Sequence, residues 1–372
     1  MEVSFVDLVA QYEELKEEID SAVLAVLRSG KYSSGEQVSL LEEELAASCG
    51  LKYGIAVNSG TDALKISLQA LGIKEGDEVI TTPFSFGATI EAILQNGARP
   101  VFVDIEPKTF NIAVENLESA ITKSSKAILP VHLFGQIAEM EEIREIAKKY
   151  DLKIVEDAAQ AIGSTRNGLP IGSWGDAAAL SFYPTKNLGA AGDGGMILTN
   201  DEELTKRAKA LRVHGMYKQY FYDEVGHTSR LDEIQAAILR VKFKKLGQWN
   251  EARRQHALIY DRFFEGTDVT PPYVLPETTY HNYHQYTIRH PRRDALMAYL
   301  TEHGVRSAIY YPSPLHLQKA YAHLGYKEGD FPIAEKTCKE VLSLPIHPHL
   351  SREQVEYAAD VVCHFVAPKA GV

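Results

Sequence analysis

The chain has 372 residues, 45% of them hydrophobic and 24% charged, which is enough for a large soluble domain with a deep core and a smaller domain beside it. Its formal net charge of −11 argues against nucleic acid or an anionic membrane as the main partner. The acidic N-terminal segment predicts no secretory signal, and no apolar run is long enough to cross a bilayer. Three cysteines without a CxxC pair predict reduced thiols in the cytoplasm, and we expect no metal site.

The first half of the chain alternates short β-rich runs with helical patterns. The predicted strands are 53–58, 78–82, 99–105, 126–133 and 153–158. The predicted helices between them are 61–72, 86–97, 114–121 and 138–150. This alternation predicts an α/β fold, with a mostly parallel sheet flanked by helices.

After Ala158 the alternation ends. Segments 176–184 and 194–200 are predicted strands joined by a glycine-rich loop without a helix, so they can pair antiparallel. Further predicted helices are 201–212, 231–246, 294–305 and 352–362. We divide the chain into a large domain, residues 1–246, and a smaller C-terminal α/β domain, residues 247–372. The first thirty residues can pack on either.

Ligands of open parallel sheets bind beyond the carboxyl ends of the strands. The polar and aromatic residues predicted there should meet at one edge of the sheet, although they are far apart in the chain. They are Ser59-Gly60-Thr61, Pro83 to Phe86, His132, Asp157 with Gln160, and Tyr183 to Lys186.

Ser59, Gly60 and Thr61 open a predicted helix. A helix start offers free N–H groups to a phosphate, and Gly60 lets the backbone approach an anion closely. The same residues also suit an ordinary N-cap by Ser59 or Thr61, which the motif alone favours. The chain has neither a Walker lysine loop nor GxGxxG, so other nucleotide-binding folds lack support.

Asp157 and Lys186 carry the strongest chemical signal. Asp157 ends an apolar strand, where a carboxylate can cap, form an ion pair or keep a pyridine nitrogen protonated. Glu156 should point to the opposite face of the strand and take a structural role. Lys186 lies between two apolar strands in SFYPTKNLGAAGDGG, where desolvation favours the neutral amine that forms Schiff bases. An exposed lysine in a hairpin remains the alternative.

Nearly the whole chain resembles the sugar aminotransferases of the DegT/DnrJ/EryC1/StrS family, which use pyridoxal 5′-phosphate in a type I transferase fold. The resemblance rests on the joint order of several segments, above all VEDAAQ followed by SFYPTKNLG. The other segments are NSGTDAL, PFSFGAT, VHLFGQ, SRLDEIQAA and LPIHPHLS.

The resemblance implies a role for each matching residue. Lys186 would hold the cofactor covalently and move protons, Asp157 would pair with the pyridine nitrogen, and Gln160 would lie beside the ring hydroxyl. Phe86 would stack on the ring. The implied phosphate ligands are Gly60, Thr61 and Ser181, and the residues implied at the sugar are Arg230, Tyr310, Tyr311 and His316.

Arg230 resembles a residue that serves the neighbouring subunit, which implies a homodimer with shared active sites. Family members commonly carry asparagine where this chain has Thr228, and that asparagine reaches the partner's cofactor phosphate. Threonine is shorter but can still donate one hydrogen bond. Ser229 and Asp232 also fit a capping box at a helix start.

The reaction implied is the transfer of an amino group from glutamate to a nucleotide-linked keto sugar. SFYPTKNLG followed by GDGG is similar to members that aminate carbon 3, for a surface polysaccharide or a natural product. Amination at carbon 4 or of a keto-cyclitol remains open, whereas Lys186 argues against the related dehydratases, which have histidine there. A non-catalytic regulator is the alternative of another class, against which the acidic balance and the lack of a basic helix-turn-helix segment argue.

Overall fold

The computed structural model describes residues 1–367. In that range the α-helices are α1 (Leu8–Glu14), α2 (Lys16–Ser29), α3 (Glu36–Ser48), α4 (Gly60–Ala70), α5 (Ala88–Leu94), α6 (Met140–Tyr150), α7 (Glu202–Leu211), α8 (Glu233–Phe243), α9 (Leu246–Phe264), α10 (Arg293–Glu302), α11 (Pro332–Glu340) and α12 (Arg352–Val366).

The strands are β1 (Tyr53–Val57), β2 (Glu78–Thr81), β3 (Arg99–Phe102), β4 (Ser125–Ile128), β5 (Lys153–Asp157), β6 (Thr165–Arg166), β7 (Leu169–Pro170), β8 (Ala177–Ser181), β9 (Gly195–Thr199), β10 (Met216–Lys218), β11 (Phe221–Tyr222), β12 (Thr278–Tyr280), β13 (Tyr286–Arg289) and β14 (Val341–Leu344). The predicted helix 114–121 is instead two short 3-10 helices, Val114–Asn116 and Glu118–Ala120.

A seven-stranded sheet in the order β1-β9-β8-β5-β4-β2-β3 forms the centre of the large domain. Strands β8, β5, β4, β2 and β3 are parallel, and β9 runs antiparallel to both β8 and β1. The predicted α/β fold with a mostly parallel sheet is therefore confirmed, as is the antiparallel pairing of β8 with β9.

Side chains alternate between two apolar clusters on opposite faces of this sheet, as the pleat requires. On β1, Ala56 packs with the cluster that holds α3, α6 and α8, whereas Ile55 and Val57 pack with the cluster of α4, α5 and α7. Helices thus cover both faces, and polar ligands can reach the sheet where its strands end.

A third apolar cluster joins α9, α10 and α12 to the β13–β14 pair, and its members begin at Val3 and then run from Ala257 onward. The predicted boundary falls at the first residue of α9, and it stays a prediction. The N-terminal segment contacts both parts, since Val3 pairs with Val305 while Ile19 packs against Ile238 of α8. No helix within residues 1–367 combines the length and the apolar character that crossing a membrane requires.

Candidate active site

A cavity of about 490 Å³ lies beyond the carboxyl ends of β1, β2, β5 and β8. It brings together most of the site residues expected from the sequence, which come from five separate segments of the chain. Those lining it are Gly60, Thr61, Phe86, Asp157, Gln160, Ser181, Lys186, Tyr310 and Tyr311. The parallel strands thus converge as the sheet topology predicts.

The start of α4 forms one wall of this cavity. Ser59 is the N-cap, because its Oγ accepts a hydrogen bond of 3.1 Å from the amide of Asp62. The amides of Gly60 and Thr61, in the first turn, have no intrahelical acceptor. A Cβ on Gly60 would lie only 2.7 Å from the Cβ of Ser181, so glycine is needed where these segments meet. This wall offers N–H groups and a hydroxyl to an anion.

Lys186 reaches the cavity from a tight loop after β8. Its backbone amide donates to the carbonyl of Tyr183 at 2.8 Å, and a Cβ on Gly189 would lie 2.2 Å from the carbonyl oxygen of Pro184. Burial lowers the pKa of Lys186 to about 8, although the nearby charge of Asp157 acts in the opposite direction. A substantial fraction of this amine is therefore neutral near pH 8, as a nucleophile requires.

Asp157 is the buried acidic group of the same cavity. Its Oδ2 accepts a hydrogen bond of 2.9 Å from Thr89 Oγ1, and its Oδ1 accepts one of 3.3 Å from the amide of Ala159. Burial raises the pKa of Asp157, while these hydrogen bonds and the charge of Lys186 lower it. Burial has the larger effect, so the pKa of Asp157 lies above its ordinary value. A cation beside the carboxylate would lower this pKa and stabilise the charged form, so the site favours a positively charged group there.

Glu156 points to the other face of β5, as its place next to Asp157 in the strand requires. Its carboxylate accepts hydrogen bonds from the amides of Gly172, Trp174 and Gly175 and from Nε2 of His132 at 2.9 Å. This buried network fastens the loop after β7 to the strand that carries Asp157, in agreement with the structural role expected for Glu156.

Gln160 and the aromatic residues line the side of the cavity near β2. Gln160 Oε1 accepts from the amide of Phe134 at 2.7 Å, and its Nε2 donates to the hydroxyl of Tyr311 at 3.2 Å. The ring of Phe86 is 63% exposed and lies 6.4 Å from the ring of Tyr311 between centroids. Phe86 therefore has an open face on which a flat ring can stack.

Three of the expected residues do not line the cavity of this chain. Thr228 Oγ1 is hydrogen-bonded to His214 Nε2 at 2.8 Å. His316 is buried against Glu335, with 3.0 Å between Nε2 and Oε1, and Arg230 also lies outside the lining. A sugar-binding role for His316 therefore lacks geometric support in this chain.

The capping box expected at the start of α8 is not formed. Asp232 is the N-cap, but no side-chain hydrogen bond caps the helix. Ser229 Oγ instead donates to Asp62 Oδ2 at 2.7 Å and accepts from the amide of Asn58 at 3.2 Å. Ser229 thus connects the segment before α8 to the start of α4, which forms one wall of the cavity.

The cavity also includes residues that the sequence analysis did not single out as ligands. Tyr183 and Thr185 belong to the segment Tyr183 to Lys186, which the sequence analysis had already placed at this edge of the sheet. Further residues of this kind include Asp193, His284 and Gln285. His284 and Gln285 come from an irregular segment before β13 and had no local signature.

A model of the DegT/DnrJ/EryC1/StrS aminotransferase family matches residues 13–363. The chain belongs to this family. Its relatives include a pleiotropic regulatory protein of Geobacillus stearothermophilus, 52% identical, with 98% of this chain and 99% of that protein covered. Another is a UDP-N-acetyl-3-dehydro-alpha-D-glucosamine 3-aminotransferase of Acidithiobacillus ferrooxidans, 44% identical, with 97% of each chain covered.

Solved structures of similar proteins have the same fold. The X-ray crystal structure of S. venezuelae DesV in complex with a ketimine intermediate matches with a TM-score of 0.97 and 42% identity, covering 99% of both chains. The crystal structure of NtdA from Bacillus subtilis with bound cofactor PMP matches with a TM-score of 0.90 and 34% identity, covering 99% of this chain and 86% of that one. The type I aminotransferase fold is therefore shown for this DegT-family chain.

The cavity of this family member has the features that pyridoxal phosphate needs. Gly60, Thr61 and Ser181 can hold the phosphate, Lys186 can hold the ring covalently, and Asp157 can face the ring nitrogen. When bound, the cofactor supplies an electron sink for carbanion chemistry. Within residues 1–367, no group of three or more His, Cys, Asp or Glu side chains is arranged to hold a metal ion.

Proposed function

We propose that this DegT-family protein transfers an amino group from glutamate to a nucleotide-linked keto sugar at carbon 3, with pyridoxal 5′-phosphate held by Lys186. The observation that carries the proposal is the placement of Lys186 and Asp157 in one buried cavity beside the α4 start. The lysine can bind the cofactor and carry protons at Nζ, and the aspartate can hold the ring nitrogen charged. Gly60, Thr61 and Ser181 supply the donors for the phosphate.

The sugar substrate is supported by the relatives and by the mouth of the cavity. A relative that is 44% identical over nearly its whole length is named for amination of a UDP-linked 3-dehydro sugar. Phe86, Tyr183, Tyr310 and Tyr311 line the cavity, and aromatic faces suit sugar rings and nucleobases. Phe86 and Tyr183 are exposed to solvent. We infer a nucleotide-linked 3-keto sugar, and the product would be an amino sugar for a surface polysaccharide or a natural product.

A homodimer with shared sites is part of the proposal. Lys186 is the one lysine or arginine among the described residues that line the cavity. A cofactor phosphate and a sugar diphosphate together carry several negative charges, which one cation does not offset. A second subunit can supply the missing charge. Arg230 and Thr228, which lie outside this chain's own cavity, are the candidates to reach the partner's site.

The decisive experiment is regiochemical. The purified protein is incubated with glutamate and with matched 3-keto and 4-keto sugar nucleotides, and the new nitrogen is located by NMR. We expect amination at carbon 3. Amination only at carbon 4, or only of a free cyclitol, would overturn the substrate assignment while leaving the cofactor assignment intact.

A non-catalytic regulator is the second candidate, since the relative that is 52% identical is named a pleiotropic regulatory protein. A regulator needs no reactive lysine, whereas this chain places one beside a buried carboxylate. The two candidates differ in a simple test. Purified protein that stays colourless with pyridoxal phosphate and forms no amino sugar would favour the regulator.

The use of glutamate as the amino donor and the location of the protein in the cytoplasm stay predictions.

A further inference from the structure

His284 lies deep in the cavity, and its imidazole is tied into a network of asparagine side chains. The residue is 6% exposed and lines the cavity together with Lys186. Its Nδ1 is 3.0 Å from Oδ1 of Asn187, the residue that follows Lys186 in the chain. The network therefore joins the lysine loop to the segment that precedes β13.

The hydrogen bonds of Asn187 determine which of its amide atoms faces His284. Asn187 Nδ2 donates to the backbone carbonyl of Asn282 at 3.2 Å and to Oδ1 of Asn250 at 2.7 Å. A backbone carbonyl only accepts, so the atom that faces it must be the NH2 group. Asn250 is oriented in the same way, because its own Nδ2 donates to the carbonyl of Ile162 at 3.1 Å.

The amide oxygen of Asn187 must then accept a hydrogen bond from His284, so Nδ1 carries the hydrogen. In a neutral imidazole the other nitrogen, Nε2, holds a lone pair. None of the described residues donates a hydrogen bond to this nitrogen. Burial, with the charges of Lys186 and Arg253, places the pKa of His284 well below its ordinary value, so the ring stays neutral at working pH.

The backbone of His284 is also held in place by hydrogen bonds. The amide of His284 donates to Oδ1 of Asn282 at 2.9 Å, and the carbonyl of His284 accepts a hydrogen bond from Arg253 Nη1 at 3.4 Å. Turning the imidazole over would give up the hydrogen bond to Asn187. His284 thus presents a fixed, uncharged acceptor to the cavity.

We propose that Nε2 of His284 is a specificity-determining acceptor, which takes a hydrogen bond from a hydroxyl or N–H group of the keto sugar. This inference rests on the proposed function. A sugar nucleotide brings several hydroxyl groups that can donate. The carboxylates of glutamate only accept, and a lone pair would repel them. A neutral acceptor beside Lys186 therefore favours the hydroxyl groups of the sugar over the carboxylates of the amino donor.

Two substitutions distinguish the role of Nδ1 from the role of Nε2. In His284→Asn the amide nitrogen can replace Nδ1 and keep the hydrogen bond to Asn187, but nothing replaces Nε2. In His284→Gln the amide oxygen can replace Nε2, but the donor to Asn187 is lost. Half-reactions with glutamate and with a UDP-linked 3-keto sugar are measured separately from the change in cofactor absorbance.

We expect His284→Asn to raise the KM for the sugar about tenfold, the size of one lost hydrogen bond, with the glutamate half-reaction within about twofold of wild type. His284→Gln should keep the sugar KM nearer to wild type. Equal losses in both half-reactions would show a merely structural role and overturn the inference, as would an unchanged sugar KM in His284→Asn.

Sugar analogues provide a second measurement that does not depend on how well His284→Gln folds. Each analogue lacks one donor group of the UDP-linked 3-keto sugar. One of them should bind about tenfold more weakly to wild type and show no such loss with His284→Asn. If no analogue behaves so, the inference is wrong. A wild-type protein that aminates no sugar nucleotide would overturn the proposed function and this inference together, which the wild-type assay alone reveals.

Discussion

Gly60 and Ser181 lie so close together that a Cβ atom on Gly60 would be 2.7 Å from the Cβ of Ser181. Gly60 begins α4 and Ser181 ends β8, so this contact brings a helix start and a strand end to the same wall of the cavity. It lets backbone N–H groups and a hydroxyl approach a single anion.

Gly60→Ala should therefore weaken cofactor binding. The added methyl group would push α4 away from Ser181, and we expect the affinity for pyridoxal phosphate to fall at least about tenfold, as with loss of one charge-assisted hydrogen bond. Titration of the apoprotein, followed by absorbance, measures it. Gly247→Ala in α9 is the matched control, because a Cβ there contacts nothing within 4 Å. Equal affinity in the two variants would contradict the assigned phosphate site.

Borohydride reduction of the cofactor-loaded protein should attach the label to Lys186. Lys242 is a useful internal comparison, since its pKa is also lowered to about 8 by burial. Its Nζ donates to the carbonyl of Gly189 at 2.8 Å, and it lies outside the cavity. Peptide mapping thus shows whether labelling depends on the position of the lysine in the cavity or only on its lowered pKa. Label on Lys242 or on another lysine would refute the role of Lys186.

The rate at which the apoprotein captures pyridoxal phosphate should depend on pH. The pKa of Lys186 is lowered to about 8, so the reactive neutral amine is scarce below that pH and predominates above it. The capture rate should rise with a midpoint near pH 8. An ordinary exposed lysine, by contrast, has a pKa of about 10.4. A midpoint above pH 10 in stopped-flow absorbance would show that Lys186 is not desolvated.

Asp157→Asn keeps the shape of the side chain and removes its charge. Turnover should fall on the order of 10²-fold, because the ring nitrogen loses its charged partner, while cofactor occupancy changes little. The substitution should also lower the pKa of Lys186, since the charge of Asp157 raises it. Steady-state rates and the pH profile of cofactor capture check both effects. Full activity at full occupancy would exclude the assigned role.

Shared active sites can be tested by mixing two impaired variants. Lys186→Ala lacks the reactive amine, and Arg230→Ala lacks the residue proposed to reach the neighbouring subunit. A heterodimer of the two should contain one site with both residues intact, so activity should return as subunits exchange. Mass spectrometry follows the exchange. Complete exchange without recovered activity would rule out a site that uses Arg230 from the partner.

The chain by itself determined the central sheet and the main chemical groups of the site. Apolar runs of strand length alternate with helical periods up to β5, and this order places Gly60, Asp157 and Lys186 at strand ends. Parallel strands point their carboxyl ends the same way, so convergence follows from local patterns and topology together. Short-range periodicity is sufficient to predict the sheet, because it indicates which face of each helix or strand is buried.

The tertiary structure alone decided the surroundings of those groups. His316 ends the promising motif YYPSPLH, yet it turns inward because Glu335, 19 residues later, accepts its hydrogen bond. His284 had no motif, yet it lies beside Lys186 because Asn187, 97 residues earlier, accepts from its Nδ1. Local patterns do not encode such partners, since a side chain's hydrogen bonds depend on which distant segments packing brings within about 3 Å.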